Sequence, residues 1–175
     1  AHCPLSSSHV ASRMSPPARH LLAAVAIFSA QWLVLGRLRI EGAYPDAVLL
    51  FLGWYALRAG RRPGTMMGAG LGAAMDVVYG TWGIHMFVKA LVGFLVGRFA
   101  MDERTALIIR PGQAFVASLV VALLHNGLLV AFLVLQSQAT PATLLYGLWL
   151  GSAVYTAAVG GIAMLFVQRS SVVQR

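Results

Sequence analysis

Long apolar blocks separated by short polar segments fill most of the chain. Apolar runs of 16 to 26 residues recur along almost the whole chain, and helices of this length, at a rise of about 1.5 Å per residue, can cross a hydrocarbon core of about 30 Å. The pattern therefore predicts an all-α integral membrane protein with six transmembrane helices and no separate soluble domain. The predicted helices cover residues 20–36, 44–58, 64–79, 84–97, 111–135 and 142–167.

Small residues recur every four positions in the third and fourth predicted helices. Gly64, Gly68 and Gly72 share one face of the third helix, and Gly93 and Gly97 share one face of the fourth. Because small residues let two helix backbones approach closely in lipid, we expect these two faces to pack together. In an antiparallel hairpin, Gly72 would lie opposite Gly93, and Gly68 would lie opposite Gly97.

Ionisable residues continue both glycine series. Asp76 follows Gly72, and His85 and Lys89 precede Gly93 with the same spacing. A charged group inside a membrane helix costs roughly 2.5 to 3.5 kcal/mol at the helix centre. Because the hairpin places Asp76 and Lys89 at matching depth, we expect a structural ion pair between them. The alternatives are partner binding, with His85 and Asp46 lining the same groove, and a proton-relay, ion-relay or catalytic role.

A second polar pair, His125 and Asn126, lies near the middle of the fifth predicted helix. Such residues either line a cavity or form hydrogen bonds across helices, and we interpret them as interhelical polar contacts. The sequence has no Gly-x-Ser-x-Gly elbow, no His-Glu-x-x-His helix and no glycine-rich phosphate loop. The single cysteine, Cys3, excludes an internal disulfide and a cysteine-based metal site. We therefore expect neither catalysis, nor a cofactor, nor a metal.

The composition agrees with a membrane protein: 59% of the residues are hydrophobic, 10% are charged, and the mean hydropathy is +0.77. A net charge of +8 would suggest nucleic-acid binding in a soluble protein, but here the positions of the cations matter more. Ten of the 13 lysines and arginines fall in the two termini and the second and fourth loops. The positive-inside rule then predicts that both termini are cytoplasmic, and we expect no nucleic-acid partner.

Residues 1–13 are polar and precede Met14. We interpret them as an expression-tag remnant or a disordered tail before a natural start at Met14. Residues 14–175 then form a single six-helix membrane domain.

Several short motifs follow one another between residues 44 and 98. Tyr44-Pro45-Asp46 opens the second predicted helix, which continues as Leu-Phe-Leu-Gly-Trp-Tyr-Ala-Leu-Arg. The third helix ends on the spacing from Gly68 to Asp76, and the turn after it reads Gly-Thr-Trp-Gly-Ile-His. In this order, and in a small protein with six predicted helices, these motifs resemble the rod shape-determining protein MreD family. Lys89 is not part of the resemblance.

The resemblance implies a non-catalytic scaffold in the bacterial cytoplasmic (inner) membrane. MreD-like proteins bind the membrane helix of MreC and thereby join MreB filaments, RodA and the elongation-specific penicillin-binding transpeptidase, which build lateral peptidoglycan and determine cell shape. The resemblance also implies a fold similar to the six-helix substrate-binding subunits of energy-coupling-factor transporters. The alternative function is a small-molecule-binding subunit of such a transporter, which requires a polar pocket between helices on the outer side.

Overall fold

The computed structural model describes residues 16–38, 40, 43–101, 110–136, 142 and 146–173, and this part of the chain is folded into six helices. A 3₁₀ turn at Leu35–Arg37 follows the first helix, and the sixth helix begins with a π-helical turn at Gly147–Gly151. The predictions for residues 1–13 and for the fourth loop at 102–109 lie outside the described residues. The helices are α1 (Pro16–Leu33), α2 (Ala47–Ala59), α3 (Arg61–Tyr79), α4 (Ile84–Gly97), α5 (Pro111–Gln136) and α6 (Gly147–Gly151 continuing as Ser152–Val173).

Within the part of the chain that the structure describes, three segments are long and apolar enough to cross a membrane: Ala18–Arg37, Pro111–Leu135 and Gly147–Phe166. α2 and α4 are apolar but shorter than the roughly 20 residues that a perpendicular span requires. α3 is longer, but it contains two arginines, an aspartate and four glycines. The six predicted helices are therefore present, whereas six complete membrane crossings stay a prediction.

Consecutive helices run in opposite directions. Gln31, near the end of α1, donates a hydrogen bond to the carbonyl of Pro45, just before α2. Gly64, near the start of α3, lies against Ala56 near the end of α2 and against Gly93 near the end of α4.

The same alternation continues through α5 and α6. Phe87, near the start of α4, packs edge-on against Phe132, near the end of α5, with 5.8 Å between ring centroids. Trp149, near the start of α6, lies against Gly127 in the second half of α5, and Gly160, at the middle of α6, lies against Ser118 near the start of α5. One end of the bundle, which we call the cationic end, therefore collects the starts of α1, α3 and α5 and the ends of α2, α4 and α6. Its described arginines are Arg19, Arg58, Arg61, Arg62, Arg98 and Arg110.

The seam between α3 and α4 is packed backbone against backbone. Side chains larger than hydrogen do not fit at Gly64, Gly68, Gly72, Gly93 or Gly97, because a Cβ atom there would overlap atoms of a neighbouring segment. At Gly97, for example, it would lie 2.7 Å from the Cα atom of Arg61. In lipid, such close approach maximises van der Waals contact between helices. The five glycines that we predicted at this seam all lie in it.

The register of the seam differs from the prediction. Gly68 faces the backbone of Lys89, eight positions before the predicted partner Gly97. Gly72 faces the backbone of His85, which is likewise eight positions before its predicted partner Gly93. The reason is that the turn folds back along α3, so that α4 begins beside Asp76 instead of level with the end of α3. The carboxylate of Asp76 holds this start of α4, as the next subsection describes.

Two clusters of buried apolar residues flank α2. The first lies among α1, α2 and α3, and the second lies among α2, α4, α5 and α6. Because each cluster uses a different face of α2, that helix lies inside the bundle, and its first turn is surrounded by protein. The buried members are Ala24, Val48, Phe51, Leu71 and Met75 in the first cluster, and Leu49, Val92, Ala122 and Ala153 in the second.

Candidate functional site

The candidate site is built around the start of α2. Asp46 is the N-cap of this helix, and its Oδ1 atom accepts a hydrogen bond of 2.8 Å from the backbone N–H of Leu49. An aspartate at this position satisfies one of the amide groups that the helix itself leaves unpaired, and its charge suits the positive helix terminus. The cap leaves the second carboxylate oxygen available for another partner.

That partner is Lys89 of α4. The distance between Lys89 Nζ and Asp46 Oδ2 is 2.7 Å, and the two residues are 0% and 5% exposed. The predicted ion pair between Asp76 and Lys89 is therefore wrong. Lys89 does not meet Asp76 because the displaced register of the α3–α4 seam sets Lys89 against Gly68, where its side chain reaches the start of α2.

His125 of α5 extends this buried pair. Its Nε2 atom lies 3.3 Å from Lys89 Nζ, and its Nδ1 atom lies 3.0 Å from Asn126 Oδ1. An ammonium group can only donate, so Nε2 accepts, and Nδ1 then carries the hydrogen that is donated to Asn126. The geometry thus selects a neutral imidazole in its Nδ1–H tautomer. The Asn126 amide in turn donates to the carbonyl of Trp149, at 3.5 Å.

Gln31 of α1 binds the backbone on both sides of Asp46. Its Nε2 atom donates to the carbonyl of Pro45 at 2.9 Å, and its Oε1 atom accepts from the N–H of Ala47 at 2.8 Å. Gln31 is 1% exposed. We did not select Gln31 from the sequence, although a lone glutamine within an apolar membrane helix is a signal that could have identified it.

Two hydroxyl groups of α6 complete the arrangement. Ser152 Oγ accepts from the N–H of Tyr44 at 3.1 Å, and Thr156 Oγ1 accepts from the N–H of Asp46 at 3.0 Å. Serine and threonine are common in membrane helices for many reasons, so their spacing of four gave no distinctive signal. We use the name polar hub for the segment 44–46 together with Gln31, Lys89, His125, Asn126, Ser152 and Thr156.

Asp76 belongs to a separate cluster at the start of α4. Its two carboxylate oxygens accept from the backbone N–H groups of His85 and Met86, at 3.0 and 2.9 Å. The hydroxyl of Thr81 lies 2.6 Å from Asp76 Oδ1 and 2.9 Å from His85 Nδ1, and His85 Nδ1 is itself 3.3 Å from Asp76 Oδ1. Because Gly83, the N-cap residue, has no side chain to contribute, Asp76 caps α4 from the neighbouring helix.

Residues of both clusters line one cavity of about 300 Å³. Thr81 and His85 come from the Asp76 cluster, and Tyr44, Asn126 and Ser152 come from the polar hub. Apolar side chains such as Leu129 of α5 supply most of the remaining wall. The sequence-predicted polar residues are thus split between two clusters that share one cavity.

The polar side chains of the hub form hydrogen bonds with one another and with the backbone of the segment 44–46. Every buried side-chain nitrogen and oxygen of the described residues has a hydrogen-bond partner. Within those residues, no three histidine, cysteine or acidic side chains lie together as metal ligands would. In the membrane interior such a closed network stabilises one arrangement of helices, because breaking it leaves charged or polar groups unpaired.

A family model described as rod shape-determining protein MreD matches residues 19–159 of the chain. The chain belongs to the MreD family. The matched region contains every residue of the polar hub, and membership gives the protein a role in determining the rod shape of the cell. Together with the three long apolar helices, it identifies a membrane protein.

No curated protein and no solved structure matches the chain. The predicted similarity of this MreD family member to the substrate-binding subunits of energy-coupling-factor transporters therefore stays a prediction.

Proposed function

We propose that the protein is a non-catalytic scaffold of the bacterial elongation complex that binds the transmembrane helix of MreC. In this proposal it lies in the inner membrane with both termini in the cytoplasm. It helps to position lateral peptidoglycan synthesis, and MreB, RodA and the penicillin-binding transpeptidase are direct or indirect partners. Family membership supports the part concerning cell shape.

The observation that carries the proposal is the division between a polar interior and an apolar exterior. The buried polar groups bind one another and connect α1, α2, α4, α5 and α6 through the segment 44–46. The outward faces of the helices carry large apolar side chains, which suit van der Waals contact with another membrane helix. Examples of these exposed side chains are Leu22, Val77, Val120 and Ile162.

The cationic end supports the proposed orientation. Six described arginines lie at the cationic end, whereas Arg37, which follows α1, lies at the opposite end of the bundle. Because positively charged loops are retained in the cytoplasm, the cationic end is the cytoplasmic end. The polar hub and the Asp76 cluster then lie in the outer half of the membrane.

Site-specific photo-crosslinking in living cells tests the partner. A photoreactive amino acid is introduced at Leu22, Val77, Val120 or Ile162, one exposed position on each of four helices, and at Val88, which is 0% exposed, as the control. We expect crosslinks to MreC from one continuous face and none from Val88. Efficient incorporation without any crosslink to MreC, in cells whose shape depends on this protein, would contradict the proposal.

A second candidate function, small-molecule binding, is favoured by the cavity of about 300 Å³ that residues of both polar clusters line. Its wall combines a few polar residues, among them Tyr44, His85, Asn126 and Ser152, with mostly apolar ones, as is usual in ligand pockets. Deletion of the gene distinguishes the two candidates. Rounded cells with normal vitamin uptake support the scaffold, whereas normal rods with defective uptake support a transporter subunit.

A further inference from the structure

A second cavity, which we call the α1–α3 groove, opens on the surface of the bundle and has a volume of about 580 Å³. Leu21, Val25 and Phe28 of α1 form one wall, and Met66 and Gly70 of α3 lie on the other side. The lining of α3 continues from position 62 to position 74, which corresponds to about 18 Å along a helix. The groove is therefore long, narrow and almost entirely apolar.

Gly70 shows that this face of α3 is not covered by the chain itself. No heavy atom of another segment lies within 4 Å of the position that a Cβ atom would occupy at Gly70, whereas Gly68 and Gly72 have no room for one. Met66, one turn before Gly70, is 75% exposed. The glycine face of α3 thus packs against α4, whereas Gly70 and Met66 lie on a different face that lines the groove.

One end of the groove is positively charged. Arg62 lines the groove at the cationic end, and Tyr55 of α2 is also part of the lining. Two neighbouring arginines are engaged with aromatic rings outside the groove: the guanidinium carbon of Arg58 lies 4.6 Å from the ring centroid of Trp54, and that of Arg61 lies 5.3 Å from the ring centroid of Phe94. Arg62 is therefore the cation that the groove presents to an occupant.

We infer that the α1–α3 groove binds an anionic phospholipid, with an acyl chain along α3 and the phosphate at Arg62. The charge at one end matches a phosphate, and the apolar length beyond it matches a hydrocarbon chain. A basic pocket between membrane helices at a cytoplasmic surface is a recurring form of anionic-lipid site. A partner helix in the groove is the competing outcome, which the crosslinking at Met66 described below would reveal.

The site does not depend on the identity of the protein partner. It requires only the charge of Arg62 and the open space at Gly70, and both are located on α3. Failure of the lipid experiment would therefore leave the proposed binding of MreC untouched, and failure of the crosslinking to MreC would leave the lipid site untouched.

Native mass spectrometry of the purified protein in detergent tests the inference. Phosphatidylglycerol is compared with phosphatidylcholine of identical acyl chains, so that only the headgroup differs. We expect phosphatidylglycerol to be retained at least several-fold more strongly. Arg62→Gln should reduce this preference to near unity, while Arg110→Gln, an exposed arginine at the same end but outside the groove, should leave it unchanged.

Gly70→Leu fills the groove without changing charge, and it should reduce retention of both lipids. Thermal unfolding of each variant establishes that it is folded, and Gly53→Leu, at a glycine with open space on α2 that does not line the groove, is the matched control. Equal retention of the two lipids by the wild type, or equal loss of preference in the Arg62 and Arg110 variants, would overturn the inference. So would a photo-crosslinker at Met66 that labels a protein instead of a lipid.

Discussion

Breaking the buried pair of Asp46 and Lys89 should be far more costly than removing it completely. Lys89→Met keeps the length of the side chain but leaves the carboxylate of Asp46 without its 2.7 Å partner. Asp46→Asn keeps an oxygen for capping Leu49 but leaves the ammonium group of a fully buried lysine without a counter-charge. Each single variant should lose about 3 to 5 kcal/mol of unfolding free energy.

The double variant removes both charges and should recover most of this loss. If the two residues were independent, the losses would add to about 6 to 10 kcal/mol, which approaches the whole stability of an ordinary domain. We expect the double variant instead to lose about 1 kcal/mol, because an asparagine and a methionine leave no uncompensated charge. The measurement is equilibrium unfolding in mixed micelles, with the amount of folded protein in the membrane as a second readout.

A double-mutant cycle on Asp76 and Lys89, the ion pair that was predicted from the sequence, is the matched control. Asp76→Asn and Lys89→Met should be close to additive, because the hydrogen-bond partners of Asp76 are at the start of α4 and those of Lys89 are Asp46 and His125. Additive losses in the Asp46 cycle, or strong coupling in the Asp76 cycle, would refute the pairing that the structure shows.

Three further predictions concern the α3–α4 seam and the topology. Gly68→Ala should cost about 1 to 3 kcal/mol of unfolding free energy because its Cβ meets the backbone of α4, whereas Gly70→Ala should be close to neutral; equal effects would contradict the seam. Asp76→Ala should cost about 1 kcal/mol and should increase hydrogen exchange at the first amides of α4, and unchanged exchange would exclude the cap. Reporter fusions after Arg62 and after Ser137 should report the cytoplasm and the outside respectively, and matching signals would contradict the topology.

The helices could be predicted from the sequence because their signals are local. Apolar blocks define where a helix is stable in lipid, and a proline and an aspartate at Pro45 and Asp46 mark the start of α2. The recurrence of glycine every four residues also identified the two faces that meet in the α3–α4 seam. Each of these signals lies within one helix or at its end.

The register of the seam could not be predicted in the same way. A stripe of glycines spaced by four fits an opposing stripe in several positions, each displaced by one turn, so the spacing alone does not select among them. The selection comes from Asp76, whose carboxylate binds the amides of His85 and Met86 and thereby sets where α4 begins. The prediction estimated the depth of Asp76 and Lys89 by counting residues from the turn. It was wrong because it assumed that α3 ends and α4 begins at the same depth.

The partner of Lys89 was hidden by distance along the chain. Asp46 lies 43 positions earlier, and it belongs to a connection that the sequence presents only as a helix start. Ser152 and Thr156 could not be identified for the same reason, since each accepts a hydrogen bond from a backbone N–H of the segment 44–46 that is more than 100 positions away in the chain. Such contacts can be identified only when the arrangement of the helices is known.

The position of the polar hub explains why an aspartate cap lies inside a membrane bundle. The first turn of a helix leaves backbone N–H groups unpaired, and inside a bundle no water is available to satisfy them. At the start of α2 these groups are satisfied by Asp46 itself, by Gln31 of α1 and by Thr156 of α6. The charge that the cap introduces then requires Lys89, which connects α4 and α5 to the same point. The segment 44–46 thus connects five helices, and the scaffold proposed above would need such a connection to present a fixed surface to other membrane proteins.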